Sequence, residues 1–350
     1  MVVQVYNKPT MKTQKLNLII PMAGKGKRML PHTLTTPKPL IAIAGKPIVK
    51  RILEEIGSLY PGPIGHIGFV VNGLLPDVQA DLQAMATTLG AQSHFYEQKE
   101  ALGTAHAIGC AAPLLQGPVM VAFADTLFKG NSPVDIDQEG VILVNRVPNP
   151  ADFGVVRLGP DQFITAFIEK PTQFVSDLAI IGIYYFKEGS VLQEAIQHII
   201  DRNICNEGEY QLTSALSYMQ QKGFKFGIHQ VDEWFDCGNK QATLHTNQRF
   251  LEWLQDKEAM ISPLAQVQHS KIIPPVCIGE GVLIEHSIIG PYVSVGRHTH
   301  IVGSRIKNSI IQEHTAIQHG NIENSMIGSH VHIQGKSTEI NVGDYNIVML

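Results

Sequence analysis

The last hundred residues of the chain repeat, and a repeat of this kind restricts the fold more than any other stretch of the sequence. Aligned on serine, the segment reads SKIIPPVCIG from Ser270, SIIGPYVSVG from Ser287, SIIQEHTAIQ from Ser309 and SMIGSHVHIQ from Ser325, spaced 16 to 22 residues apart. Small β-branched side chains return at one phase, at Val276, Val293, Thr315 and Val331. Each unit is a set of short strands with glycine turns, and one unit cannot bury its inner face alone. Stacking covers that face, so the segment is expected to form about four imperfect coils of a prism, closed by the tail INVGDYNIVML.

This pattern resembles the hexapeptide left-handed parallel β-helix, and it places a boundary near residue 255. The expected organisation is an α/β domain over 15–255 and a β-helix over 256–350. A chain of 350 residues with 44% hydrophobic and 17% charged positions can bury two such cores. The net charge of -4 and the absence of a Lys/Arg block argue against a nucleic-acid partner. No apolar run approaches a membrane span and the N-terminus lacks a signal-peptide core, so no membrane partner and a cytoplasmic location are expected. Cys110, Cys205, Cys237 and Cys277 are scattered without CxxC spacing, which suggests plain thiols. Residues before Lys15 carry no usable pattern, and Met11 offers a second start.

The α/β domain opens on an apolar run, Leu16 to Ile20, that breaks into a loop holding Ala23, Gly24, Lys25, Gly26, Lys27 and Arg28. Glycines let backbone N–H groups turn inward, and the adjacent cations offset the charge of a triphosphate. Lys38 follows in a Pro37-Lys38-Pro39 frame. A dinucleotide fingerprint would need a third glycine where Met29 stands, and Gly45-Lys46 is followed by Pro47 instead of the Ser or Thr of a Walker loop.

Downstream, a helix is expected over 48–59, a strand over 65–72, a helix over 76–90 and a strand over 93–98. Alternation of this kind implies a sheet with ligands at the carboxyl ends of its strands. Gln98 stands at such an end, and Gly103-Thr104 opens the next helix; an amide beside exposed backbone groups can read a base edge. The apolar run 118–128 carries Asp125 where the strand is expected to end, as a helix cap, a structural acceptor or a metal ligand. From Val141 longer β-branched segments suggest a mixed sheet, followed by helices over 189–200 and 210–221. The phrase Trp234-Phe235-Asp236-Cys237-Gly238 then precedes a long helix over 239–255.

As a set, GxGxR with Pro-Lys ten residues on, Gln98 with Gly103-Thr104, Ala124-Asp125, PADFGVVRL, FIEKP, GEYQLT and WFDCG closely resemble the sugar-1-phosphate nucleotidylyltransferases. Lys27 replaces the customary Thr and Ala124 the customary Gly. The resemblance implies a Rossmann-like nucleotidyltransferase domain with a mixed sheet. It implies that Ala23, Gly24 and Gly26 cradle phosphates, that Arg28 and Lys38 hold the triphosphate, and that Gln98, Gly103 and Thr104 contact a pyrimidine. It also implies that Gly154, Glu169, Lys170 and the Ile180 backbone meet the sugar phosphate, with Asp125 and Asp236 sharing Mg2+. The implied reaction joins an NTP, with dTTP or UTP favoured, to a sugar 1-phosphate and releases pyrophosphate. A homo-oligomer formed through the β-helix is expected. Two other readings stay open at this level: a non-catalytic scaffold of the same plan, and a bifunctional acetyltransferase using His298, His314 or His330.

Overall fold

The computed structural model describes residues 14–130, 132–206, 208–335 and 339–349. Met11 and its neighbours lie outside these. The chain folds as two compact units.

The first unit holds residues 14–20, 56–121 and 132–230. Its frame is a nine-stranded mixed sheet. The strands are β1 (Leu16–Pro21), β2 (Ile64–Val71), β3 (Gln92–Glu97), β4 (Val119–Ala122), β6 (Gly140–Arg146), β7 (Gly154–Leu158), β8 (Ile164–Glu169), β9 (Leu178–Phe186) and β10 (Phe226–Gln230). The excursion β5 (Thr126–Lys129) belongs to another sheet. The main path runs β8-β7-β9-β4-β1-β2-β3, with β6 beside β9 and β10 beside β6. β1 and β4 are parallel, as are β2 and β3, whereas β9 is antiparallel to β6 and β7. The central strands are almost wholly buried, which is why they read as continuous apolar runs without alternation. Helices α2 (Pro76–Thr88), α4 (Gly189–Asp201) and α5 (Leu212–Gln221) fall where periodicity places them. α4 buries Leu192, Ala195, Ile196 and Ile199 along one stripe, and Glu188 caps its first turn by accepting the Ser190 N–H.

The second unit holds residues 21–55, 122–130 and 231–349. The strand expected to end at Asp125 stops three residues short of it. β4 stops at Ala122, and the chain turns before entering β5, which pairs antiparallel with β11 (Glu233–Asp236). Asp125 interrupts the apolar run at this turn, and the strands on its two sides pair in different sheets. Helix α6 (Lys240–Leu254) starts where the Asn239 side chain accepts the Ala242 N–H.

Among the described residues three parallel sheets make up the β-helix, with six, four and five strands. The six-stranded face stacks Gln266, Leu283, His300, Ala316, His332 and Ile347 in register, so the prism is taller than four coils. The serine alignment undercounted because it crosses corners. Ser270, Ser287 and Ser304 form one column, in which each hydroxyl accepts the N–H of the residue above at 2.9–3.0 Å. Ser309 and Ser325 belong to a second column, and Thr299, Thr315 and Val331 to a third. The longest serine spacing, from Ser287 to Ser309, therefore includes the regular strands His300–Val302 and Arg305–Lys307. Inside, Ile284, Ile301, Ile317 and Ile333 stack in contact with Ile289, Ile306 and Ile322. Each such side chain contributes about 1.5–3 kcal/mol of burial that a lone coil could not obtain. No helix among the described residues is long and apolar enough to cross a membrane.

Candidate active site

In the second unit, the loop after β1 turns on Gly26, whose φ of 56° is left-handed. A Cβ there would lie 2.9 Å from Thr33 Cγ2, so both backbone and space require glycine. Thr33 closes the turn by donating its hydroxyl to the Gly26 carbonyl at 2.9 Å. Gly24 differs: it is exposed, and nothing in the protein lies within 4 Å of where its Cβ would stand. Fold packing gives no reason for that glycine. Ala23 is half-buried beside it, and Arg28 is exposed on the following turn.

Lys38 begins a short 3-10 turn and is buried, with its ammonium 3.0 Å from Asp125 Oδ2. The carboxylate end of this pair is half-exposed, so the cation is sheltered while the acidic partner faces outward. Asp236 ends β11 opposite Thr126, the residue after Asp125, and the Cys237 N–H donates to the Asp125 carbonyl at 3.2 Å. Asp125, in the turn just before β5, and Asp236, the last residue of β11, thus meet at one end of this strand pair despite 110 intervening residues. Burial, and then the charge of Asp125, push the Asp236 carboxyl above the usual range. Lys38, the Gly238 N–H and Arg28 pull it the other way. Asp236 is anchored by the Gly238 N–H, which donates to Oδ1 at 2.9 Å, and by Thr246 of α6, which donates to its carbonyl at 2.8 Å.

Among the described residues no three His, Cys, Asp or Glu side chains converge into a closed metal cage. Two carboxylates fit a different requirement: a hard dication such as Mg2+ takes one or two protein carboxylates and completes its shell with water and phosphate oxygens. Asp125 and Asp236 suit such an ion.

In the first unit, Gln98 follows β3 and is buried. Its Nε2 donates to the Gly103 carbonyl at 3.1 Å and lies 3.2 Å from His106 Nδ1, so the amide nitrogen braces the loop. Gly103 has φ 103°, and a Cβ would stand 2.6 Å from the Tyr210 backbone. Close packing of Tyr210 is therefore one reason for that glycine, beside any ligand. Thr104 accepts the Leu212 N–H at 2.9 Å and so caps α5 from a distance.

Gly154, Glu169 and Ile180 come together across strands β7, β8 and β9. Glu169 pairs with Gly154 in register, and a Cβ on Gly154 would lie 3.0 Å from Glu169 Oε2 and 3.6 Å from Ile180 Cδ1. Lys170 is exposed, holds φ 42° and donates its N–H to the Phe153 carbonyl. Glu169 also lines a polar cavity of about 200 Å³ with Phe167, Asn206, Gln211, Ser214 and Ser217. Of these, Gln211 stood in the GEYQLT phrase and was legible; Asn206 carried no signal.

The histidines weighed as bases, His298, His314 and His330, occupy one left-handed corner of the β-helix, with φ of 54°, 55° and 56°. Their exposed rings stack at centroid distances of 5.1 and 4.9 Å, and Tyr345 ends the column at 4.8 Å. Their place is explained by the corner itself.

A family model described as "Nucleotidyl transferase" matches residues 18–252. A glucose-1-phosphate thymidylyltransferase from Streptomyces antibioticus is 29% identical over 85% of this chain and 87% of its own length. The bifunctional protein GlmU of Methanococcus maripaludis strain C7 is 31% identical over 69% of this chain, a stretch that spans 56% of that protein. Among solved structures, a nucleoside-diphosphate-sugar pyrophosphorylase from Vibrio cholerae RC9 matches with TM-score 0.58 at 20% identity, over 66% of this chain and 99% of its own. That likeness concerns the fold.

Proposed function

This chain belongs to the nucleotidyl transferase family, and from that premise we propose that it transfers a nucleotidyl group from dTTP or UTP to a sugar 1-phosphate. An anionic oxygen of the sugar phosphate attacks the α-phosphorus in line. The bond from that phosphorus to the β-bridging oxygen breaks, and pyrophosphate leaves with the electron pair. The nucleophile is already ionised, so no general base is needed, and the work lies in positioning polyanions and neutralising charge.

The observation that carries this reading is the sheltered Lys38 ammonium on Asp125, with Asp236 and Arg28 beside it. A non-catalytic scaffold has no need for cations and carboxylates held in this way. In the proposed assignment Arg28, Lys38 and the N–H groups of Ala23, Gly24 and Gly26 hold the triphosphate. Mg2+ bound by Asp125 and Asp236 would supply charge neutralisation at the reacting phosphates. Glu169 accepts hydrogen bonds from sugar hydroxyls, Gly154 leaves room for the ring, the Ile180 backbone meets the sugar, and Lys170 holds its phosphate. Gln98 spends Nε2 on Gly103 and keeps Oε1, an acceptor, for the imide N–H of a uracil or thymine; Gly103 and Thr104 complete the base segment. Residues 15–255 carry the chemistry, and the β-helix over 256–350 mediates a homo-oligomer.

Pyrophosphate release should be measured for five triphosphates against a panel of sugar 1-phosphates, with and without EDTA. The expected result is metal-dependent turnover with dTTP or UTP, and loss of most activity in Asp236→Asn. A preference of about tenfold or more for ATP or GTP would overturn the base assignment. Turnover unaffected by EDTA would overturn the metal assignment. A full-length monomer by light scattering would remove the oligomer.

A further inference from the structure

Between Arg28 and Lys38 the chain has only short 3-10 turns of its own, Lys27–Met29 and His32–Leu34. Such a stretch keeps one shape only if something outside it holds it. The holder is the last coil of the β-helix, 309 residues away in sequence. His32, 4% exposed, donates Nε2–H to Asn341 Oδ1 at 2.9 Å. Asp344 Oδ2 accepts both the Thr35 hydroxyl, at short range, and the Thr36 hydroxyl at 3.2 Å. Its other oxygen accepts the Ser329 N–H at 2.6 Å, so one carboxylate ties the loop to the coil below. Pro31 lies against Gly343, where a Cβ would stand 3.1 Å from Pro31 Cβ. Lys240, at the start of α6, fastens the same coil through Glu339 at 2.7 Å.

Pro37 and Lys38 follow Thr36 directly, and prolines on both sides of Lys38 restrict the backbone there. A displacement of residues 31–36 is therefore passed on to the Lys38 ammonium rather than absorbed. We propose that the terminal coil of the β-helix positions the triphosphate-binding segment, with Asp344 and Asn341 as positioning residues that keep Arg28 and Lys38 at the spacing an NTP requires. The segment's role toward a triphosphate rests on the proposed function, whereas the clamp rests on the contacts alone. On this view the β-helix serves the nucleotide half-reaction from its last coil, by preorganising cations that would otherwise have to be ordered by the ligand.

The test uses the full chain. Thr35→Val with Thr36→Val removes both hydroxyls from the loop side and leaves the Asp344 to Ser329 bond in place. Thr35→Ser with Thr36→Ser keeps both hydroxyls, and Asp344→Ala removes the acceptor. Amide hydrogen exchange without nucleotide should show residues 24–40 exchanging about tenfold faster in the valine pair, with residues 300–335 unchanged. Steady-state kinetics should show the KM for the NTP raised about tenfold in the valine pair and in Asp344→Ala, with kcat and the KM for sugar 1-phosphate within about threefold. The serine pair should match wild type. Adding Asp344→Ala to the valine pair should worsen the NTP KM by less than about threefold, because both remove one interaction. Unchanged exchange in the loop overturns the clamp. Faster exchange with an unmoved NTP KM, or an equal rise in both KM values, overturns positioning. If wild type transfers no nucleotidyl group to any acceptor, the proposed function falls while the exchange measurement still decides the clamp.

Discussion

A single methyl group at Gly238 should disable the site without unfolding it. An alanine Cβ there would stand 2.8 Å from Asp236 Oδ2, 2.9 Å from Oδ1 and 3.3 Å from Arg28 Nη2. Ordinary contact begins at 3.4 Å, so the carboxylate must withdraw by about 0.6 Å, the difference between 3.4 and 2.8 Å. Withdrawal is opposed by the Gly238 N–H on Oδ1 and by Thr246 on the backbone carbonyl. A misplacement of about 1 Å in a reacting constellation costs on the order of 100-fold, so this shift is expected to lower kcat/KM by about 10- to 30-fold. The assay is pyrophosphate release across a Mg2+ titration at substrate concentrations below KM, with a thermal melt alongside. The Mg2+ concentration for half-maximal rate should rise, and the melt should stay within about 4 °C of wild type. A Gly238→Ala enzyme within about threefold of wild type at every Mg2+ concentration would show that the Asp236 position does not govern the reaction.

Lys38→Ala should lose about 2–4 kcal/mol of transition-state stabilisation in kcat/KM, since the ammonium is preorganised and sheltered; a loss below about threefold makes it an ordinary ion-pair residue. Gly24→Ala meets no protein atom within 4 Å, so its melting temperature should equal wild type while NTP affinity falls; equal affinity would take Gly24 out of the phosphate cradle. Acid should loosen the clamp. Burial holds the His32 imidazole below its ordinary range, against the Asn341 hydrogen bond and Asp344, which raise it, and with Lys240, which lowers it. The unfolded state therefore binds the proton first, and the stability His32 contributes is present above the ordinary imidazole pKa of about 6.5 and is lost as pH falls below it. Urea melts between about pH 7.5 and 5.5 should show wild type losing more stability than His32→Gln, which keeps a donor to Asn341 but cannot titrate; parallel losses would exclude His32 as the titrating group.

Local chemistry was legible in the sequence wherever a side chain's neighbours in space are also its neighbours in the chain. Period 3.6 marks α4, unbroken apolar runs mark β2 and β4, Asn239 marks the start of α6, and the glycine loop announces itself by composition. The same holds for the family phrases, because each lies within 15 residues. The serine repeat was visible too, but its phase was not. Hydroxyl columns at different corners look alike in one dimension, and only the strand register separates Ser304 from Ser309. Tertiary structure alone decided the features that depend on convergence. It broke the 118–128 run into two strands in different sheets, laid Lys38 on Asp125, and gave Gly103 the close packing of Tyr210 in addition to any role toward a base. It also brought Asp344 onto Thr35 and Thr36. Contacts spanning hundreds of residues leave no periodicity, since each partner satisfies its own local rules wherever the other stands, and their energy exists only after the core has brought them together.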